Sequence, residues 1–417
     1  MLDVELVSIG DELLLGFTVD TNTAHFAQAA AAVGIQVLRR TTVGDGADAI
    51  AAAVGEALDR TGGVITSGGL GPTADDLTKP SIAALFGREM RFDEGIWESL
   101  RQRWKARGWP GEIPESNRAQ AMIPEGATVL ANAHGSAPGI WLEDERGRWV
   151  AMLPGVPREF RGMTRDTLLP RLTARDPGGT VVRSLTLRTQ GVAESALADA
   201  LGELAKAPLG VALAFMPGWE GVDLRLTVRG MSATDSDVAL TAAAAALRPR
   251  VGRWVYGEND AELADLVIQR LRAAGMRIAV AESCTGGMLG MLLTAVPGSS
   301  DVVSGGVIAY DNAVKVEQLG VLEGSLQAHG AVSEEVEREM ASGVRARLGV
   351  DVGVSITGVA GPSGGTIEKP VGTFCVAVDV RGQLHSLKSA GVGDRQEVRQ
   401  RASQAALNFV RRALANE

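Results

Sequence analysis

One seven-residue stretch gathers a carboxylate, a hydroxyl, a thiol and two glycines: Ala281-Glu282-Ser283-Cys284-Thr285-Gly286-Gly287. The apolar run Met276 to Val280 before it predicts a buried parallel strand, and Met288 to Val296 after it predicts a helix. Ser283 and Thr285 are good N-caps, so the helix is expected to start inside the motif. Its first-turn N–H groups would then face an anion, such as an oxyanion, with the positive end of the helix dipole behind them. In open α/β sheets, ligands bind at turns of this kind. Ser283 becomes a nucleophile when a base takes its proton. Cys284 is the rival, but a free cysteine is more often a small buried hydrophobe.

The usual base is scarce. The C-terminal third holds two histidines, His329 and His385, and His385 falls mid-hairpin. A lysine serves when burial or a nearby cation brings its pKa from ~10.4 towards ~7–8. Lys315 is the candidate. It lies just past Tyr310, which ends an expected strand beside Asp311-Asn312. Two more polar clusters follow predicted elements: Pro297-Gly298-Ser299-Ser300 and Thr357-Gly358-Val359-Ala360-Gly361-Pro362. All are expected to open on one edge of the sheet.

A second chemical stretch lies near the N-terminus: Ser67-Gly68-Gly69-Leu70-Gly71-Pro72-Thr73-Ala74-Asp75-Asp76. Glycines let backbone N–H groups approach phosphate oxygens. Two carboxylates beside phosphates suggest a hard divalent cation such as Mg²⁺ bridging them. Glu12, Asn22 and Glu159 are further polar candidates at the ends of predicted elements.

These residues need a scaffold. Val4 to Ile9, Gln36 to Val43 and Val64 to Ser67 read as strands alternating with helices at Thr21 to Val33 and Asp48 to Leu58. Alternation predicts a parallel sheet with right-handed crossovers. A hairpin is expected from Gly139 to Leu153. Ala174 to Gly179 reads as a linker, then a small βα unit, then a second linker from Arg250 to Glu258. The last region adds a helix at Ser333 to Leu348, a strand at Val350 to Ile356, a hairpin across Arg381-Gly382 and a final helix from Asp394. The fold class is α/β with three domains, at 1–174, 180–250 and 259–417.

Composition narrows the function classes. The 417 residues carry a net charge of −9, so the chain as a whole does not favour nucleic acid. Aromatics are only 4%, and glycine is 52 of 417. Cores of Ala, Val, Leu and Ile with many tight turns are expected. Two cysteines, Cys284 and Cys375, give neither a disulfide framework nor a zinc spacing. Acidic residues within the first five argue against a signal peptide, and no apolar run reaches the ~18 residues of a membrane span. A cytoplasmic location is expected.

Together the ordered motifs resemble the CinA family of competence/damage-inducible proteins over the whole length. The matching residues are the 281–287 motif, Pro297 to Ser300, Tyr310 with Lys315, Gly330-Ala331-Val332-Ser333, Thr357 to Pro362, and Gly393-Asp394-Arg395 with Arg399. The resemblance implies a C-terminal nicotinamide mononucleotide deamidase, with Ser283 as nucleophile, Lys315 as base and Tyr310 assisting. Ser300, Thr357, Gly358, Arg395 and Arg399 would hold the nucleotide, and this chemistry needs no metal. The first domain resembles the molybdopterin-binding fold and, in this family, a metal-dependent ADP-ribose pyrophosphatase. Asn22, Gly68, Gly69, Gly71 and Thr73 would bind that substrate, with Glu12, Asp75, Asp76 and Glu159 around a divalent cation such as Mg²⁺. The Nudix signature usual for that activity is absent. The middle domain resembles a KH-type module without a G-x-x-G loop flanked by basic residues. Expected partners are small-molecule nucleotides and a second copy in a homodimer, with no membrane and no clear nucleic-acid partner. The competing reading is a pterin- or nucleotide-binding regulatory module in DNA uptake or damage response.

Overall fold

The computed structural model describes residues 2–175 and 180–415, which divide into two compact units. Residues 176–179 of the first expected linker lie outside the described residues.

In the first unit, β1 (Leu2–Ile9), β2 (Ile35–Val43) and β3 (Gly63–Ser67) are followed by β4 (Met90–Phe92), β5 (Met122–Pro124), β6 (Thr128–Leu130), β7 (Gly139–Glu143) and β8 (Trp149–Leu153). The main sheet runs β2-β1-β3-β8-β7-β6, and β4 pairs with β5 separately. Its first four strands are parallel, and β7 and β6 close it antiparallel through the expected hairpin. Successive side chains on a strand face opposite ways. Val4, Leu6 and Ile65 therefore join a core with Phe26 and Phe160 on one face. Val7, Ile9 and Val64 join Ile50, Val54 and Ile82 on the other. Helices on both faces bury β3 and β8 completely and most of β1, while the edge strand β2 stays largely exposed, and the carboxyl ends of the parallel strands are left as the open edge.

Next, β9 (Val181–Thr189), β10 (Ala212–Pro217), β11 (Val222–Met231) and β12 (Val255–Glu258) make a four-stranded sheet ordered β10-β11-β9-β12, most of it in the second unit. The expected second linker is thus partly strand: Val255 to Glu258 pairs with Leu187 to Thr189. Val255 and Tyr256 are β formers, and the strand reading was hidden by glycines on both sides.

The last sheet runs β14 (Val303–Ile308), β13 (Ile278–Glu282), β15 (Val352–Gly358), β16 (Thr373–Val380), β17 (Gln383–Ala390). β14, β13 and β15 are parallel, and the β15-β16-β17 meander is antiparallel. Ile278, Val280, Val352, Val354 and Ile356 pack with the helices Leu263–Ala274 and Arg395–Ala415. Ala279 and Ala281 pack on the other face beneath Val336, Met340 and Val344 of the helix Glu334–Leu348. Arg381 and Gly382 both take positive φ, 52° and 92°, as a two-residue hairpin turn requires. Among the described residues no helix is long and apolar enough to cross a membrane.

Candidate functional site

Register places the catalytic candidates. Glu282 stands opposite Ile308 of β14 and Ile356 of β15, so β13 and β14 end level and β15 runs two residues further. Ser283 is the first residue past the end of β13, and its amide donates to the Ile356 carbonyl at 2.9 Å. Thr357 sits at the same level on β15, and Tyr310 lies two residues past the end of β14. The Ala309 amide donates to the Glu282 carbonyl at 2.7 Å, joining the strand ends.

Lys315 reaches back to that junction. It lies on the helix Asn312–Leu319, which Asp311 caps by accepting the Ala313 amide at 2.8 Å. Its Nζ donates to the carbonyls of Ala309 (2.8 Å) and Tyr310 (3.3 Å). The residue is only 1% exposed. Burial pulls its pKa below the ordinary lysine value, while Glu337, Asp311 and Cys284 pull the other way. A neutral amine has two N–H groups and one lone pair. The two carbonyls take two of the three tetrahedral positions left on the amine, and the third is open to a lone pair or a proton.

Tyr310 is 60% exposed, and its hydroxyl accepts from Arg395 Nη2 at 2.7 Å. Arg395 Nη1 donates to the Gly361 carbonyl at 2.6 Å, and Arg399 Nη2 to the Thr285 carbonyl at 2.7 Å. Both arginines come from the start of the final helix. They line a shallow cleft with Ala360, Pro362, Val371, Gly393 and Gln396. Ser283 and Tyr310 are not in that cleft's lining. Thr357 Oγ1 donates to the Ala331 carbonyl at 3.0 Å, which brings the 330–333 motif to the same edge. A Cβ on Gly358 would stand 2.8 Å from the Thr373 carbonyl oxygen and 3.1 Å from Cys284 Sγ, so glycine is needed for this close packing.

Two expectations fail here. The helix after the motif is Met288–Thr294, its N-cap is Gly287, and neither Ser283 nor Thr285 caps it. Its amides are not free for an oxyanion. The buried Glu282 carboxylate accepts from Gly287 (3.0 Å), Leu289 (3.0 Å) and Gly290 (2.7 Å). An anion at a helix N-terminus is favourable, and here a side chain already supplies it. Nor does Ser300 reach this edge. It lies in the turn Ser299–Asp301 that leads into the start of β14. The helix after β13 runs back along the sheet, so β14 begins at the opposite edge. Six strand residues put Ser300 roughly 20 Å away within one chain.

Cys284 is 6% exposed, and burial pushes its thiol up to about 12. A thiolate is the nucleophilic form, so Cys284 is poorly suited to attack. Sequence reasoning picked out the Glu282 carboxylate but not its capping role, and it missed Glu337. A glutamate eight residues before the third amide it caps gives no local capping signal, and Glu337 reads as one acid in the charged stretch Glu334 to Glu339.

In the first unit, a cavity of about 480 Å³ opens at the carboxyl ends of the strands. Its lining includes Glu12, Asn22, Gly68, Gly69, Gly71, Asp75, Asp76 and Glu159. Thr73 lies outside the lining. Asn22 Nδ2 bridges Ser67 Oγ (2.9 Å) and the Gly155 carbonyl (2.8 Å), while its buried Oδ1 has no partner among the described residues. Gly68 has φ 111°, and a Cβ there would collide with the Ile9 carbonyl at 2.2 Å. Asp76 is committed to its own loop. It accepts from the Gly71 amide (2.7 Å), the Thr73 amide (2.8 Å) and Thr73 Oγ1 (2.5 Å). Glu159 accepts from Asn132 Nδ2 at 2.5 Å. Among the described residues no three His, Cys, Asp or Glu side chains converge on one metal position. The four carboxylates thus build no protein cage. A Mg²⁺ held by one or two carboxylates and by substrate phosphates fits this lining better.

The architecture has counterparts. The "Probable molybdopterin binding domain" model matches residues 5–174, the "Damage-inducible protein CinA KH domain" model 184–257, and the "CinA C-terminal domain" model 260–414. These matches define the class, a chain joining a molybdopterin-binding-type domain, a KH-like domain and a CinA C-terminal domain. A CinA-like protein of Gemmatimonas aurantiaca is 60% identical over 417 residues, covering 100% of this chain and 97% of that protein. CinA-like proteins of Chloroherpeton thalassium and Anaeromyxobacter dehalogenans are 40% and 42% identical, covering 98% and 99% of this chain and 99% and 100% of theirs. A solved competence or damage-inducible protein from Enterobacter asburiae is 33% identical, covers 37% of this chain and 96% of its own, and gives a TM-score of 0.36. The chain belongs to the CinA family.

Proposed function

We propose that the second unit deamidates nicotinamide mononucleotide to nicotinate mononucleotide and ammonia. One observation carries this reading: Ser283 directly follows β13, the middle one of the three parallel strands, and the buried Lys315 amine bonds the Ala309 peptide that is itself bonded to Glu282. Lys315 takes the Ser283 hydroxyl proton as Oγ attacks the carboxamide carbon. The tetrahedral intermediate collapses, the C–N bond breaks, and ammonia leaves with the proton that Lys315 returns. Water then attacks the acyl-enzyme and releases the carboxylate. Tyr310 accepts from Arg395, so its own O–H remains to donate to the oxyanion. Arg395, Arg399, Thr357 and Gly358 supply the nucleotide-binding edge.

The first cavity fits a metal-dependent ADP-ribose pyrophosphatase. Asp75 and Glu12 would hold a divalent cation, which would neutralise charge on the diphosphate. The amides of the Gly68 to Gly71 turn would receive phosphate oxygens. The molybdopterin-domain match favours a second reading, a pterin- or nucleotide-binding regulatory module. Ammonia release from nicotinamide mononucleotide separates the two. Catalytic turnover supports the enzyme; binding without ammonia supports the regulatory module.

A further inference from the structure

Beneath Ser283, one carboxyl group has no evident structural task. Glu337 lies on the helix Glu334–Leu348 with 0% exposure, among Val336, Met340 and Val344, which form the apolar layer under β13. Ser355 Oγ and the Thr357 amide face its carboxyl, but Ser355 gives its proton to the Glu337 main-chain carbonyl at 2.7 Å. Among the described residues neither carboxylate oxygen makes a hydrogen bond of good geometry, although the Ser355 hydroxyl and the Thr357 amide lie near enough to favour its charged form. A buried carboxyl so weakly partnered is costly, and an apolar side chain would pack there at less cost.

Among the described residues, one cation acts on this carboxyl. The helix that carries Glu337 packs on the helix Asn312–Leu319, and Lys315 is the charged group of that helix facing Glu337. Cys284, from the turn after β13, and Cys375, from β16, face the carboxyl as thiols. Lys315 in turn faces Glu337, Asp311 of its own helix cap, and Cys284. The two groups are therefore each other's buried counter-charge, and no salt bridge joins them directly.

We propose that Glu337 is a positioning residue that sets the pH at which Lys315 becomes an unprotonated base. The proposal rests on the deamidase reading for its role, though not for its test. An ionised Glu337 stabilises the Lys315 ammonium and delays its deprotonation. Burial acts on both groups in the opposite sense, favouring their neutral forms. Groups coupled this way lose their protons in shared steps. Glu337→Gln removes the negative charge and keeps the shape, so Lys315 should lose its proton at lower pH.

The test is a pH titration by NMR of full-length protein labelled with ¹³C at the lysine ε-carbon. The chain has six lysines, Lys79, Lys105, Lys206, Lys315, Lys369 and Lys388, and Lys315→Arg assigns the signal by its loss. In Glu337→Gln the Lys315 midpoint should fall by about one unit or more, and the acid limb of ammonia release should move with it. Glu335→Gln, exposed on the same helix, should leave both in place. An unmoved Lys315 midpoint in a folded Glu337→Gln protein overturns the proposal. Should that variant not fold, the wild type decides: the Lys315 signal should titrate in two steps, and a single step overturns the coupling. A chain that releases no ammonia defeats the deamidase reading alone, because the titration does not depend on turnover.

Discussion

Arg395 donates from Nη2 to the Tyr310 hydroxyl at 2.7 Å, tying the start of the final helix to the end of β14. These residues are 85 positions apart, and the bond fixes an otherwise exposed ring. It also uses the hydroxyl as an acceptor, which leaves the phenolic proton for a ligand. Tyr310→Phe and Arg395→Ala should each lower kcat/KM for ammonia release by about 10- to 100-fold. Groups that act as one unit are not additive. The double variant should be little worse than the weaker single one. Full additivity would mean that the two act separately.

Lys315→Arg keeps a cation but cannot accept a proton at any relevant pH. It should be nearly as inactive as Lys315→Ala, with roughly 10²- to 10⁴-fold loss. The sign of the pH dependence follows from the base role. Unprotonated Lys315 is the active form, so the wild-type rate rises as pH passes its ionisation. Burial lowers that ionisation, so the limb should lie below the ordinary ~10.4. A pH–rate profile of both proteins checks this. Near-normal turnover in Lys315→Arg would make the residue an electrostatic contact only.

Glu282 belongs to the scaffold, although it stands beside the nucleophile. Glu282→Gln replaces one accepting oxygen by an NH₂ group. At least one of the amides of Gly287, Leu289 and Gly290 then loses its acceptor. Stability should fall by about 1–3 kcal/mol, read as a lower denaturant midpoint. An unchanged midpoint would show that the carboxylate does not hold this turn.

The two chemistries should separate under chelation. Chelator should abolish ADP-ribose cleavage and spare ammonia release, because a metal is argued for the first cavity alone. Asp75→Ala should behave like chelation, with extra Mg²⁺ giving partial recovery. Asp76→Ala should lose the same activity without recovery, since its bonds to Gly71 and Thr73 shape the loop. Loss of both activities on chelation would contradict the metal-free second site.

Much of this was legible in the chain. Apolar runs bounded by glycine predicted β1, β3, β13 and β15, and their alternation with helices predicted the parallel core. Motifs that directly follow those strands fell at the carboxyl edge, as with Ser67 to Asp76, Ser283 and Thr357. Ser300 failed for a topological reason: a turn that precedes a strand lies at the opposite edge from one that follows it. The helix start also failed. Ser283 and Thr285 satisfy the capping rule by type, but a carboxylate on the preceding strand outcompetes a neutral hydroxyl for the same amides. The helix Asn312–Leu319 was not expected, because a short stretch of eight residues shows little periodicity. Without it the reach of Lys315 back to Ala309 could not be read. Glu337 is invisible for a related reason, since burial of one acid among several depends on which helix face packs inward.

The central claim is a covalent intermediate on Ser283, and intact-protein mass measurement with peptide mapping tests it most directly. Wild-type protein and Cys284→Ala, mixed with nicotinamide mononucleotide and quenched in acid within one turnover, should both carry an ester-linked nicotinate mononucleotide acyl group on the peptide holding Ser283. Ser283→Ala should carry none, and should release ammonia several orders of magnitude more slowly while still binding the nucleotide. An adduct that persists in Ser283→Ala and disappears in Cys284→Ala would move the nucleophile to the thiol and contradict the account.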